Sequence, residues 1–136
     1  MTTKKKQYFD TFRRDIREVI DIHDGDTLTA LVDTGYDGFR KIVFRLEGIN
    51  TAELSSDTEI RKTFANNAKD YVVSKLEDKQ VAVESIRFKD GSFSRYLGVI
   101  YYLDDGVWQN LNEELKEIGL AQVYYKGASK DEGEFK

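Results

Sequence analysis

Residues 16–22, Ile-Arg-Glu-Val-Ile-Asp-Ile, alternate and are rich in β-branched side chains, which predicts a half-buried strand. His-Asp-Gly-Asp at 23–26 reads as a turn. Alternation resumes over residues 27–33 with Leu28, Ala30 and Val32, and residues 34–38 turn the chain again. A third strand is predicted over residues 39–47, with Ile42, Phe44 and Leu46 on one face. The period then changes. From 57 to 76, Ile60, Phe64, Ala68, Tyr71, Val72 and Leu76 recur at steps of three and four or close to them, the stripe of a helix packed on one side. Ser55, Ser56 and Asp57 offer N-caps for it. Alternation returns over residues 80–88 and 96–103. Asp104-Asp105-Gly106 suits a hairpin turn, because glycine tolerates positive φ. Asn112 is expected to cap a short helix with Leu115 and Ile118 facing inward, and Gly119 to end it. Val123, Tyr124 and Tyr125 close the ordered part. Short strands with one long helix between the third and fourth predict a mainly β fold with helices, a small OB-type barrel whose closure removes exposed sheet edges.

Length and composition narrow the class. A chain of 136 residues is one domain's worth, and 40% apolar with 34% charged residues excludes a disordered tail. No run approaches the ~20 apolar residues of a membrane span, so no membrane partner is expected. Basic residues 4–6 have no apolar stretch behind them, so no signal peptide is read. An intracellular protein is expected, or a secreted one after trimming. Cysteine is absent, which removes disulfides and thiolate metal sites. The expected organisation is a basic arm at 1–13, one domain at 14–126 and a flexible tail at 127–136, with a monomer as the default. Net charge is −4, unevenly spread: residues 1–18 sum to +3, and residues 19–125 to −7. Taken whole, that balance does not advertise a polyanion partner.

Candidate chemistry changes this picture. Asp24 and Asp26 bracket Gly25 between two strands, and Arg45 interrupts an apolar strand as Phe44-Arg45-Leu46. Just beyond it come Asn50, Thr51 and Glu53, oxygen-bearing residues at close spacing. Hard cations take carboxylate, amide and backbone carbonyl oxygens, so Asp26, Asn50 and Thr51 form a partial cage for Ca²⁺. A second arginine, Arg95, stands at the entry to another strand. Two arginines beside a cation site point to phosphodiester chemistry, since guanidinium binds phosphate in bidentate fashion.

Five segments then occur in order: Asp24-Gly25-Asp26-Thr27, Phe44-Arg45-Leu46, Asn50-Thr51-Ala52-Glu53, Ser94-Arg95-Tyr96-Leu97-Gly98-Val99-Ile100-Tyr101, and Asn112-Glu113-Glu114-Leu115 with Gly119-Leu120-Ala121. Together they resemble the staphylococcal nuclease (thermonuclease-like) family across about residues 14–126. The resemblance implies a five-stranded OB-type barrel and a calcium-dependent endonuclease acting on single-stranded or frayed DNA or RNA with low sequence specificity. It implies that Asp26 and the Thr51 carbonyl bind calcium, with Asp24 as a nearby second acid. Arg45 and Arg95 would hold the phosphate and stabilise its five-coordinate transition state. Glu53 would be the general base or the orienter of water, and the products would carry 3′-phosphate and 5′-hydroxyl ends. Phe93, Tyr124 and Tyr125 match nucleotide-contacting positions.

The chain also departs from the family pattern. Asn50 stands where the family has a second calcium carboxylate, which predicts weaker calcium binding. The lysine that precedes the family's aromatic residue here reads Ser92. The family's long C-terminal helix is expected to have no counterpart. An alternative reading follows from Asn50 and the acidic middle: a catalytically impaired module of the same fold that binds nucleic acid or a protein. His23 reads as an incidental strand-end residue, and Trp108 as packing.

Overall fold

Residues 11–50, 59–89 and 96–123 are described by a computed structural model of the chain. Strand β1 (Thr11–Asp24) organises the barrel by changing partners midway. Its first half, Thr11 to Ile16, pairs antiparallel with β5 (Val81–Lys89), and its second half, Ile16 to Asp24, with β2 (Thr27–Gly35). Ile16 is the pivot, paired with both Val32 and Val81. Three register shifts follow it, each adding local twist and bending the strand around the core. They also rewrite the alternation. Ile16, Val19 and Ile22 pack on the core at steps of three, while Ile20 is left exposed.

Strand β3 (Gly38–Leu46) follows β2 as a hairpin, and β6 (Tyr96–Asp104) pairs with β5. The barrel closes where β3 and β6 meet in parallel, Phe44 opposite Tyr96, Arg45 opposite Leu97 and Leu46 opposite Gly98. Five strands thus close in the order β3-β2-β1-β5-β6, as the OB-type expectation requires, and β7 (Val107–Asn110) extends the sheet as a hairpin on β6. Closure needs a glycine at its seam. A Cβ on Gly98 would lie 2.9 Å from Val83 Cγ2 and 3.0 Å from Phe44 Cδ1. The β6–β7 turn has positive φ at both Asp105 and Gly106, the type I′ geometry that matches strand twist.

Helix α1 (Glu59–Leu76) turns Ala65, Ala68, Val72 and Leu76 inward, small residues that let it lie close to the barrel. Ile60, expected on that stripe, is exposed. Its predicted caps at 55–57 lie outside the described residues. Helix α2 (Leu111–Glu117) buries Leu111 and Leu115, and Gly119 with φ 81° follows it as expected. Ile118 is exposed rather than inward. The N-cap is Asn110, whose side chain accepts from Glu113 N at 3.0 Å, and not Asn112. Asn112 is buried and used elsewhere. Two short strands, β4 (Ile49–Asn50) and β8 (Gln122–Val123), pair beside the barrel. Of the two adjacent tyrosines on β6, Tyr102 fills the core and Tyr101 lies outside under the Arg13 guanidinium, 4.4 Å from its ring centre. Trp108 keeps 39% of its surface exposed on β7, where closer packing was expected. Among the described residues, no helix is long and apolar enough to cross a membrane.

Candidate functional site

The turn between β1 and β2 presents Asp24, Gly25 and Asp26, and the Asp26 side chain is fully buried. A carboxylate taken from water must be compensated by hydrogen bonds or charge. Thr27 Oγ1 donates one such bond to Asp26 Oδ1 at 3.1 Å. The Asp26 carbonyl accepts from Leu46 N at 2.7 Å, which ties the turn to the end of β3. One residue further on, Thr27 pairs with Arg45. The sheet register therefore sets the turn that carries the buried carboxylate against the strand end that carries the arginine.

Arg45 is itself buried, with 7% of its surface exposed. Its Nη1 donates to the Ile49 carbonyl at 3.1 Å, across a turn that Gly48 makes with φ 81°. The guanidinium is thus anchored to the backbone next to Asn50, whose own backbone pairs with Gln122. Parallel pairing with β6 brings Tyr96 and Leu97 alongside Phe44 and Arg45, so the chain following Arg95 enters at this spot. Asp24 lies at the rim, partly exposed. His23 bonds Thr29 Oγ1 at 3.1 Å through Nε2 and Asp21 at 3.2 Å through Nδ1, as befits a strand-end residue outside the site.

One contributor was missed by the sequence reading. Asn112 donates through Nδ2 to the Glu47 carbonyl at 2.9 Å and the Gly98 carbonyl at 3.1 Å, and its Oδ1 accepts from Ile100 N at 3.1 Å. Glu47 N in turn donates to Gly98 O at 2.8 Å. A single amide therefore fastens the turn after Arg45 to β6, where a cap was expected. The available signal was the spacing Asn110-Leu111-Asn112, in which only one asparagine can cap.

The structure brings together Asp24, Asp26, Arg45 and the Asn50 backbone. Thr51, Glu53, Phe93, Arg95, Tyr124 and Tyr125 lie outside the described residues. Among the described residues there is no group of three or more His, Cys, Asp or Glu side chains that would hold a metal. The proposed donor set is of another kind, one carboxylate with amide and carbonyl oxygens. Of that set the described residues include the side chain of Asp26 alone, a buried carboxylate that accepts from Thr27 Oγ1, which is an oxygen donor of the kind hard cations take.

A family model described as staphylococcal nuclease homologue matches residues 43–136. The matched span includes Arg45, Asn50, Thr51, Glu53 and Arg95 and begins after Asp24 and Asp26. A comparison with curated proteins finds no match.

Proposed function

The chain belongs to the staphylococcal nuclease homologue family, and from that premise we propose that it is a calcium-dependent phosphodiesterase cleaving DNA or RNA with little sequence specificity. The observation that carries the reading is that a fully buried Asp26 and a buried Arg45 come from adjoining positions of the β2–β3 pairing, with the Asp26 carbonyl on Leu46 N and Thr27 opposite Arg45. Enclosing both groups costs solvation, and strained solvation of this kind collects at functional sites.

Asp26, Asn50 and the Thr51 carbonyl would hold calcium, with Asp24 close by. When bound, the cation supplies positive charge beside the scissile phosphate. Arg45 and Arg95 bind the phosphate oxygens and stabilise the charge that grows on them in the transition state. Held on the Ile49 carbonyl, Arg45 reaches that state with little reorganisation. Glu53 orients the attacking water or accepts its proton. Water forms the new bond to phosphorus as the P–O5′ bond breaks, leaving 3′-phosphate and 5′-hydroxyl ends. Part of the acidic balance then belongs to the cation site, and binding of the polyanion leans on calcium and on the basic residues 1–18.

The test is cleavage of single-stranded DNA and RNA with millimolar calcium and with chelator, alongside Glu53→Gln and Arg95→Ala. Wild type should cut faster than either variant, and only with calcium. Equal rates for wild type and variants overturn the enzyme reading. They favour instead the binding module that Asn50, a neutral residue at a calcium-ligand position, would suit. Undiminished cleavage in chelator overturns the metal assignment alone.

A further inference from the structure

Strand β1 has two neighbours only as far as Ile16. From there to Asp24 it pairs with β2 on one side, and among the described residues no strand pairs with its other edge. A free edge presents a row of unpaired N–H and C=O groups. The three register shifts add to them, because Arg17, Ile20 and His23 have no opposing residue on β2. This edge lies open in a groove of about 630 Å³ whose other wall is the last two turns of α1. Every residue from Ile16 to Ile22 lines the groove. A flat sheet face would contribute alternate residues, so the groove runs along the backbone edge.

The dimensions select an occupant. Seven lining residues at ~3.3 Å each make the groove ~20 Å long, which leaves a mean cross-section of ~30 Å². That admits one extended chain and not a helix of ~10–12 Å diameter. Ile20 and Val73, 42% and 38% exposed, line it from opposite walls. Its charges are sorted along its length. Val81 pairs with Ile16, so Glu77 and Asp78 stand at the Ile16 end together with Glu18. Lys79 at that end is taken by Asp104 at 3.0 Å, and Arg17 lies over the Phe39 ring, 4.9 Å from its centre. Glu18, Glu77 and Asp78 make no ion pair among the described residues, and the C-terminal carbonyls of α1 add partial negative charge beside them. Towards the other end Asp21 is held by His23 at 3.2 Å, and Lys69 lies one turn before Val73.

We propose that this groove takes a short extended segment of a partner protein, added antiparallel to β1 as an extra strand, with apolar side chains on Ile20 and Val73 and a basic residue over Glu18, Glu77 and Asp78. Backbone pairing with the free edge supplies the affinity, and alternate side chains supply the selectivity. Antiparallel addition gives the more stable ladder and sets the C-terminal end of the segment against the acids. The same bulges disfavour a second copy of the chain. A strand bent three times does not match a rigid strand along its length, whereas a short flexible segment follows the bend. The groove shares no residue with the candidate nuclease site, so this inference does not depend on cleavage.

The test is amide NMR of the full chain with capped pentapeptides. Val-Thr-Val-Thr-Lys should shift the amides of residues 17–22 saturably and slow their hydrogen exchange at least tenfold. The reverse order, Lys-Thr-Val-Thr-Val, should bind about fivefold more weakly, because its cation lies away from the acids. The first peptide N-methylated at every residue cannot donate to the edge and should not bind. Val73→Glu and Glu77→Lys, both at exposed positions, should each weaken the first peptide about fivefold while the thermal midpoint stays at the wild-type value. Unmoved edge amides at millimolar peptide overturn the proposal. So does binding indifferent to residue order, to N-methylation or to both variants. Protection of the same amides that grows with protein concentration in the absence of peptide assigns the edge to a second copy, and overturns the proposal as well.

Discussion

Removing the Asn112 side chain should cost the protein about 3 kcal/mol, and the sum follows from what each partner does next. Ile100 N–H is buried in the sheet and loses its Asn112 acceptor, and an orphaned buried donor costs ~1–3 kcal/mol. The Glu47 carbonyl sits in a turn where water can replace the amide, so only the net value of a hydrogen bond, ~0.5–1.5 kcal/mol, is lost. The Gly98 carbonyl keeps its bond from Glu47 N and loses less. Urea unfolding of Asn112→Ala should show a lower midpoint with an unchanged slope, the sign of altered stability rather than altered compactness. Asn112→Asp sharpens the test. It keeps an acceptor for Ile100 but sets a second carboxylate oxygen against two carbonyl oxygens, so it should destabilise at least as much as alanine. A loss below about 1 kcal/mol for alanine, or a milder effect of aspartate, refutes the reasoning. Cleavage should fall in both variants, because the turn they loosen holds the Ile49 carbonyl that anchors Arg45.

Four further outcomes are expected. Gly98→Ala should destabilise by ~1–3 kcal/mol in thermal or urea unfolding, since its methyl overlaps Val83 and Phe44 at the barrel seam. Asp37→Gly should stabilise by ~1 kcal/mol, because Asp37 holds φ 64° in the β2–β3 turn without the freedom of glycine. The Tyr71 and Tyr102 hydroxyls both donate to Glu114, and burial first, then that carboxylate, raises both phenols well above their ordinary 10.0. Above pH 10 the unfolded chain therefore sheds protons that the folded one keeps. Stability is complete below that pH and should fall above it by up to about 1.4 kcal/mol per pH unit for each phenol. Thermal midpoints between pH 9 and 11.5 should decline less steeply in Tyr71→Phe; an identical slope contradicts the assignment. Finally, Asn50→Asp should lower the calcium needed for half-maximal cleavage by on the order of tenfold, and an unchanged requirement shows that Asn50 is not a ligand.

The second half of β1 shows where reading by period stops. Alternation over residues 16–22 located the strand, but Ile16, Val19 and Ile22 face the core because three register shifts intervene. Those shifts are set by the partners, Val81 on one side and Val32 on the other, far away in sequence. The asparagines of α2 make the same point. Either could cap by its local chemistry, and only the carbonyls of Glu47 and Gly98 select Asn112 for the interior.

By itself the sequence determined the element types, the hairpin at Asp105-Gly106, the end of α2 near Gly119 and the residue kinds of the candidate site. Each of these depends on backbone preference or on spacing within a few residues. The tertiary structure alone decided that Asp26 is fully enclosed, that its carbonyl is tied to Leu46 next to Arg45, and that β3 closes on β6 across Gly98. Burial arises from pairings between distant segments, and closing a barrel fixes all of them at once.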